Sequence, residues 1–455
     1  MIVPTTGINQ GTTLSGDKAC PMCCDWPAGT SVRAPRIEWS LRGWLPVFFF
    51  CSLLLPPLPL AVGNSGVHVA LLVALLGLVV GAKRADEWRT SRHGSLPLLF
   101  VLFLAILTVS VGFAAVYSGW KVALGSLARV FLFGIGVYVF FYTLLGPREN
   151  ESDSFRFARF LFRIGLLGAA FACFDFYFQL PALARYAPQF VWLKHSVMRR
   201  AQGVFYEAST LGNFCTFFLV MILVASFHPR AQRLCSRFAL IFGALVFSAA
   251  LILTSSRASM AAVVVAGCVF VRLRRLKMKM VIMAVCACLS AAALVVRVAL
   301  PAFSANYWSR LTLSTQTFWS WPNEVLSGRI TNWETLVNFL AQHPWHLLFG
   351  IGYKTIPYTD YIGTRLVADN TYLSLLVETG IVGLAVFAAL NVAILRTAYR
   401  AARSNAGRAS FFGTWIFCFW CGEAVQMLSG DLITYWRVLP VYFWVLATAA
   451  RESGD

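Results

Sequence analysis

Long apolar runs, separated by short polar segments, set the rhythm of the chain. A run of about 17–25 apolar residues crosses a bilayer as helix. Twelve candidates occur, at about 44–62, 65–82, 96–117, 121–146, 160–180, 207–227, 238–254, 258–271, 280–300, 369–395, 411–428 and 432–450. The eighth, Ala258–Val271, is short, and only the turn around Ser255-Ser256-Arg257 separates it from the seventh. Pro56 and Pro57 predict a kink within the first. The predicted fold is all-α and polytopic, with residues 44–455 as one membrane domain. Residues 1–43 lack an apolar core of signal-peptide type, so they are expected to be a disordered tail. Two polar stretches are long, about 181–206 and 301–368. The second is too polar to span and too long for a plain turn. Connections of that length are uncommon unless functional.

Composition supports the same class. The 455 residues are 58% hydrophobic and 13% charged, against about 45–50% and 25% in average soluble chains. A disordered chain, a collagen, a coiled coil and a disulfide-stapled module are excluded. The net charge of +19 admits a nucleic-acid partner or a membrane protein with basic cytoplasmic turns. Its distribution decides. The N-terminal tail, alternate connecting segments and the C-terminus hold 25 of the 38 basic residues and 10 of the 19 acids, a net +15. The positive-inside rule puts these segments and both termini in the cytoplasm. No stretch interleaves bases with stacking aromatics, so no nucleic-acid partner is expected.

Cysteine and histidine add little. Cys20, Cys23 and Cys24 form half a zinc spacing with no second half. Cys418 and Cys421 read as packing within a span. His343 and His346 flank Pro344 without further ligands, so no metal site is expected. Five ionisable residues fall in or near the ends of apolar runs: Arg129, Asp175, Arg297, Glu378 and Glu423. With the orientation above, all lie in the outer half. Arg129 and Asp175, at similar depths on consecutive spans, are expected to pair. A transporter needs polar groups along a path through both leaflets. Outward-only charge suits an enzyme acting on a lipid-linked substrate.

Three motifs fall on the outer side. Arg199-Arg200-Ala201-Gln202-Gly203-Val204-Phe205 precedes Glu207 and the sixth run. Thr254-Ser255-Ser256-Arg257-Ala258-Ser259 joins the seventh and eighth. The long segment carries Ser327-Gly328-Arg329, Trp333, His343-Pro344-Trp345, Gly350 and Gly352, then Asp369-Asn370-Thr371-Tyr372, Glu378, Gly380 and Gly383. Thr331 and Glu334 form a capping box, which predicts a helix start there. Ile330, Trp333, Val337 and Leu340 give that helix an apolar face, and Pro344 ends it.

This ordered set, over about residues 199–383, resembles the superfamily of O-antigen ligases and Wzy-type O-antigen polymerases, polytopic bacterial membrane glycosyltransferases. The resemblance implies a donor glycan on undecaprenyl diphosphate, an acceptor glycan, surrounding membrane lipids, and chain-length regulator or export proteins as further candidate partners. It implies a bacterial inner-membrane location and chemistry without metal or cofactor. Arg200 or Arg199, Arg257 and Arg329 would clamp the departing diphosphate. Asn370, Tyr372, Glu378 and Trp333 would contact glycan or diphosphate. Ligases of this kind are expected to carry a catalytic His beside the motif Asn. Here Asp369 stands in that place and becomes the candidate base, with His195 a lesser substitute. That departure favours a polymerase over a ligase.

The residues also admit blander roles. Arg199 and Arg200 could snorkel to the interface, Asp369 could cap a helix, Glu378 could pair with an arginine, and Tyr372 and Trp333 could anchor at the interface. The competing functional classes are a polysaccharide flippase and a structural partner without chemistry.

Overall fold

The computed structural model describes residues 43–58, 61–62, 65–82, 94–146, 151–181, 188–192, 197–228, 234–275, 278–317, 320, 323 and 328–451. The tail with Cys20, Cys23 and Cys24, and also His195 and Ser327, lie outside the described residues.

The architecture is nearly all helical, and each of the twelve apolar runs falls on a helix. These are α1 (Trp44–Leu54), α2 (Val69–Ala82), α3 (Ser95–Ser118), α4 (Trp120–Leu145), α5 (Glu151–Phe178), α6 (Ala208–Ser226), α7 (Arg237–Thr254), α8 (Arg257–Arg274) and α9 (Met278–Ala299). The long polar segment holds α10 (Pro301–Thr317), α11 (Arg329–Gln342) and the short α12 (His346–Phe349). Then come α13 (Thr371–Ala402), α14 (Gly407–Gln426) and α15 (Leu439–Ala450). Among the described residues, α3, α4, α5, α6, α7 and α13 are long and apolar enough to cross a membrane, judged by length and composition. Two small antiparallel hairpins complete the chain, β1 (Ala61–Val62) with β2 (Ser65–Gly66), and β3 (Phe190–Trp192) with β4 (Val197–Arg199).

Burial orders the bundle. α6 and α15 are buried on almost every side, and α14 on most sides; α3 buries only a stripe and leaves Leu98, Val109 and Val116 exposed. Such an all-apolar, one-face-buried helix suits lipid contact. Small residues bring helices close. A Cβ on Gly422 of α14 would lie 2.4 Å from the Ala262 carbonyl oxygen of α8, and one on Gly212 of α6 would lie 2.6 Å from Ser259 Oγ. Small residues at crossings are what allow backbones to approach in membrane bundles.

Pro56 and Pro57 do not kink α1. They follow its last residue, and the chain turns into the β1–β2 hairpin. The residue before a proline avoids helical geometry, so the pair stops the helix and leaves it only 11 residues long.

The long segment is built onto α13. Leu336, Phe339 and Leu340 of α11 join Ile351, Ile356, Leu366, Ala368 and Val377 in a second small core. Leu340 is buried as the pattern predicted, but the face is rotated around the helix towards Leu336 and Phe339, and Val337 is exposed. Its start also differs. Gly328, in left-handed conformation, is the N-cap and Arg329 the first helical residue. Thr331 serves elsewhere: its hydroxyl accepts from Asn323 Nδ2 at 2.8 Å. α13 breaks at Gly380, which has φ 70°. The break frees carbonyls, and the long segment uses them. Ile351 N–H donates to the Val377 carbonyl at 3.1 Å and Gly352 N–H to that of Glu378 at 2.9 Å. A buried backbone group without a partner is costly in a membrane, so the break and the segment satisfy one another.

Candidate active site

The C-terminal end of α7 organises one cavity. Ser255 adopts a left-handed conformation with φ 53°, and the Ser256 hydroxyl accepts from Ser259 N–H at 3.4 Å as the N-cap of α8. The turn is thus one residue pair long, and Arg257 becomes the first residue of α8. The carbonyl oxygens at the end of α7 carry partial negative charge, and two arginines use them. Arg200 Nε donates to the Thr254 carbonyl at 2.8 Å and Arg310 Nη1 to that of Ser255 at 3.3 Å. Arg200 follows β4, whose hairpin is tied down by Gln189: Arg200 N–H donates to its carbonyl at 2.9 Å and Ala208 N–H to its side-chain oxygen at 3.0 Å.

Asp369 closes the ring. It takes φ 44°, and Arg329 Nε donates to Oδ2 at 3.2 Å. Asn370, not Asp369, caps α13, its Oδ1 accepting from Leu373 N–H at 3.0 Å. The left-handed turn swings the carboxylate off the helix axis and towards Arg329. From α11, Trp333 Nε1 donates to the Ala368 carbonyl at 2.7 Å and Asn332 Nδ2 to that of Val367 at 3.1 Å, so one helix positions both partners. The opposite wall is pinned to α13 through Thr371, whose Oγ1 donates to the Gly430 carbonyl at 2.8 Å.

The resulting cavity of about 520 Å3 is lined by Arg200, Arg257, Arg310, Arg329 and Asp369, with Ser255, Ser256, Ser429 and Gly430 between them and Phe190 and Tyr435 at its sides. Four guanidinium groups and one carboxylate share it. Burial lowers the pKa of Arg200 and of Arg257, and Arg329 lowers each further. Arg310 is brought down to about 10 by burial and then by Arg257 and Arg200. All three keep their charge near neutral pH. Glu207, beside Arg200, is buried and its pKa is raised by that burial; it accepts from Thr210 Oγ1 at 2.6 Å. The chemistry of the site is that of a binder of multiply charged anions. Forked guanidinium donors match phosphate oxygens, and a carboxylate lies within the same space.

Of the residues singled out in the sequence, Arg200, Arg257, Arg329 and Asp369 come together here. The others sit apart from the cavity lining. Arg199, next along an alternating strand, points the other way, towards Asp175 Oδ1 at 3.9 Å and the Leu180 carbonyl at 3.4 Å. Tyr372 Oη donates to the Ala424 carbonyl at 3.1 Å. Glu378 is 1% exposed and faces Lys354 Nζ at 4.0 Å, so its partner is a lysine and not an arginine; the same lysine pairs with Asp431. Arg129 and Asp175 do not pair. α4 packs on α3 and α15, whereas α5 packs on α7 and α1. Arg129 instead donates to the Lys354 carbonyl at 3.0 Å and to Tyr358 Oη at 2.7 Å. Glu423 lies in the bundle centre with Asn213 and, through it, Tyr442. His346 stacks on Phe339 and meets Tyr361 Oη at 3.1 Å.

Arg310 was missed by the sequence reading. Its signal was a basic residue on the side where basic residues are scarce, one turn after Tyr307. Arg437 was missed too. It ties Ser52, Leu55 and Val204 carbonyls together and serves the scaffold.

Fold and site together define a multi-pass membrane protein with a cationic, carboxylate-bearing cavity at one end of its bundle. Residues 242–388 match the family model described as O-Antigen ligase, which is consistent with the superfamily of O-antigen ligases and polymerases. The match covers about a third of the chain and includes Arg257, Arg310, Arg329 and Asp369. No curated protein matches the chain.

Proposed function

We propose that the chain is a bacterial inner-membrane glycosyltransferase that polymerises undecaprenyl-diphosphate-linked repeat units in cell-surface polysaccharide assembly. The observation that carries this reading is the shared cavity of Arg200, Arg257, Arg310, Arg329 and Asp369. The donor diphosphate binds the arginines. Asp369 accepts the proton of an acceptor sugar hydroxyl as that oxygen attacks the anomeric carbon. The bond from that carbon to the phosphate oxygen breaks, and the electron pair leaves with the polyprenyl diphosphate, whose growing charge the arginines stabilise. No step in this scheme uses a metal or cofactor.

The orientation belongs to the same proposal. Among the described residues, basic side chains lie at the end of the bundle away from the cavity, where Arg274 reaches Ser410 and Thr414 and Arg451 reaches the Gly146 carbonyl. The positive-inside rule makes that end, with both termini, cytoplasmic. The cavity then opens at the outer face, where lipid-linked units are presented.

A ligase that moves glycan to lipid A-core or protein shares the donor chemistry; Asp369 in place of a histidine favours the polymerase. A deletion strain tests the choice through its lipid-linked glycans. Single repeat units on the final acceptor mark a lost polymerase, polymer retained on undecaprenyl diphosphate a lost ligase, and unflipped units a lost flippase. Unchanged polymer in Arg257→Gln and Arg329→Gln variants that fold normally would overturn the enzyme reading altogether.

A further inference from the structure

A second, apolar cleft lies between α6, α7 and α9, with Val263 of α8 also lining it. Its volume is about 660 Å3, and its walls are formed by side chains such as Leu219, Leu223, Leu240, Ala244 and Leu289. Among the described residues, Arg237 is the one charged side chain that lines it. The cleft runs along α7 from Arg237 to Ser248, where the Ser248 hydroxyl meets Cys288 Sγ at 3.6 Å. Eleven residues of helix rise about 16 Å at ~1.5 Å each. One leaflet of hydrocarbon is about 15 Å, half of a ~30 Å core. The cleft therefore has the depth of a single leaflet.

Its mouth is basic. Arg159 of α5 donates from Nε to the Leu234 carbonyl at 2.7 Å. Burial pushes up the pKa of the Cys235 thiol, which lines the cleft, and the charges of Arg159 and Arg163 partly offset that rise. Arg163 and Arg237 are exposed. Asp153, on the same helix, is engaged with Arg156 at 3.4 Å. Basic mouths above apolar clefts between membrane helices suit anionic lipid headgroups. The site is separate from the arginine cavity, which sits at the opposite end of the same α7.

We infer that this cleft is a binding site for one anionic glycerophospholipid, its phosphate at Arg163 and Arg237 and its acyl chains along α7. The depth selects this occupant. Two acyl chains of one leaflet end where Ser248 and Cys288 close the cleft, whereas a polyprenyl chain is far longer than 16 Å.

The test uses the full chain in detergent, titrated with phosphatidylglycerol or phosphatidylcholine and read by native mass spectrometry. One phosphatidylglycerol is expected to remain bound, at least tenfold more tightly than phosphatidylcholine. An R163Q/R237Q variant should bind it roughly 25-fold more weakly, about fivefold per arginine. Ala244→Phe, which fills the cleft and leaves the arginines in place, should also release it. Thermal melts identify any variant that has not folded, and the other variant then carries the comparison. Equal affinity for the two lipids would overturn the inference. So would retention of phosphatidylglycerol by either folded variant, or its displacement by an equimolar polyprenyl phosphate.

Discussion

Arg329 and Asp369 meet at 3.2 Å across the wall of the cavity, one as the first residue of α11 and the other as the left-handed residue before the cap of α13. The pair gives the carboxylate a fixed direction. Asp369→Asn keeps its shape and removes its basicity. Turnover should fall by about 10²–10⁴, the usual range for a general base, with donor affinity changed far less. Polymer formation from lipid-linked repeats in membrane vesicles measures it, and a turnover within threefold of the native protein would exclude Asp369 as the base.

Arg310 is held down to about 10, first by burial and then by Arg257 and Arg200. A cation whose pKa is lower folded than unfolded binds its proton less tightly in the folded state. Its charge therefore opposes folding at every pH below about 10, and the opposition fades as pH rises from there towards the ordinary arginine value. At pH 7, Arg310→Gln should raise the melting temperature of the detergent-solubilised protein. Pyrophosphate should raise that of the native protein, and the variant should lose most of this shift. Thermal melts with and without pyrophosphate give both quantities.

Arg199 and Arg200 are neighbours with opposite roles. Arg200→Gln removes a cavity wall and should lower turnover by about 10²–10³, the scale for one lost transition-state donor. Arg199→Gln leaves the half-buried Asp175 without its cation. It should cost about 1–3 kcal/mol in stability and change turnover little. Paired melts and vesicle assays separate them.

Lys354 holds two acids, Asp431 beside the cavity segment and Glu378 at the break in α13. Lys354→Met leaves the buried Glu378 and the half-buried Asp431 without a cation, a change expected to cost about 3–5 kcal/mol. Adding Asp431→Asn to that variant should restore part of the loss. Chemical denaturation of the single and double variants checks this, and an unchanged midpoint in the single variant would argue against the ion cluster.

Gly380→Ala tests the helix break. A Cβ there would lie 2.1 Å from the Leu348 carbonyl oxygen, on a backbone with φ 70°. The variant should be destabilised by at least ~3 kcal/mol, strain and overlap adding. The nearby Gly112, whose Cβ would meet nothing within 4 Å, serves as the control and should tolerate alanine.

Much of the bundle was legible because membrane helices announce themselves by composition alone, and all twelve runs fall on helices. Ends were less legible. Pro56 and Pro57 stop α1 because the segment after them pairs as a hairpin, and Gly328 rather than Thr331 caps α11 because Asn323 engages the threonine. Of the cavity, Arg200, Arg257, Arg329 and Asp369 could be read from motifs on one side of the membrane. Arg310 offered only its place among the scarce basic residues of that side, and it takes the docking of α10 against the α7–α8 turn to bring it in. Ion partners were least legible. Arg129 and Asp175 are close in sequence order and depth, but α4 and α5 pack on different neighbours.

The hydrogen bonds from Ile351 and Gly352 to the broken turn of α13 bear on how such proteins can be recombined. The segment from 301 to 368 looks like an exchangeable lid, yet its backbone completes a helix that comes later in the chain. A graft from a relative that docks differently would strip the Val377 carbonyl of its partner and leave that of Glu378 only the Ser110 hydroxyl, at 3.2 Å. A workable chimera takes its crossover beyond Gly383, so that lid and broken helix travel as one cassette.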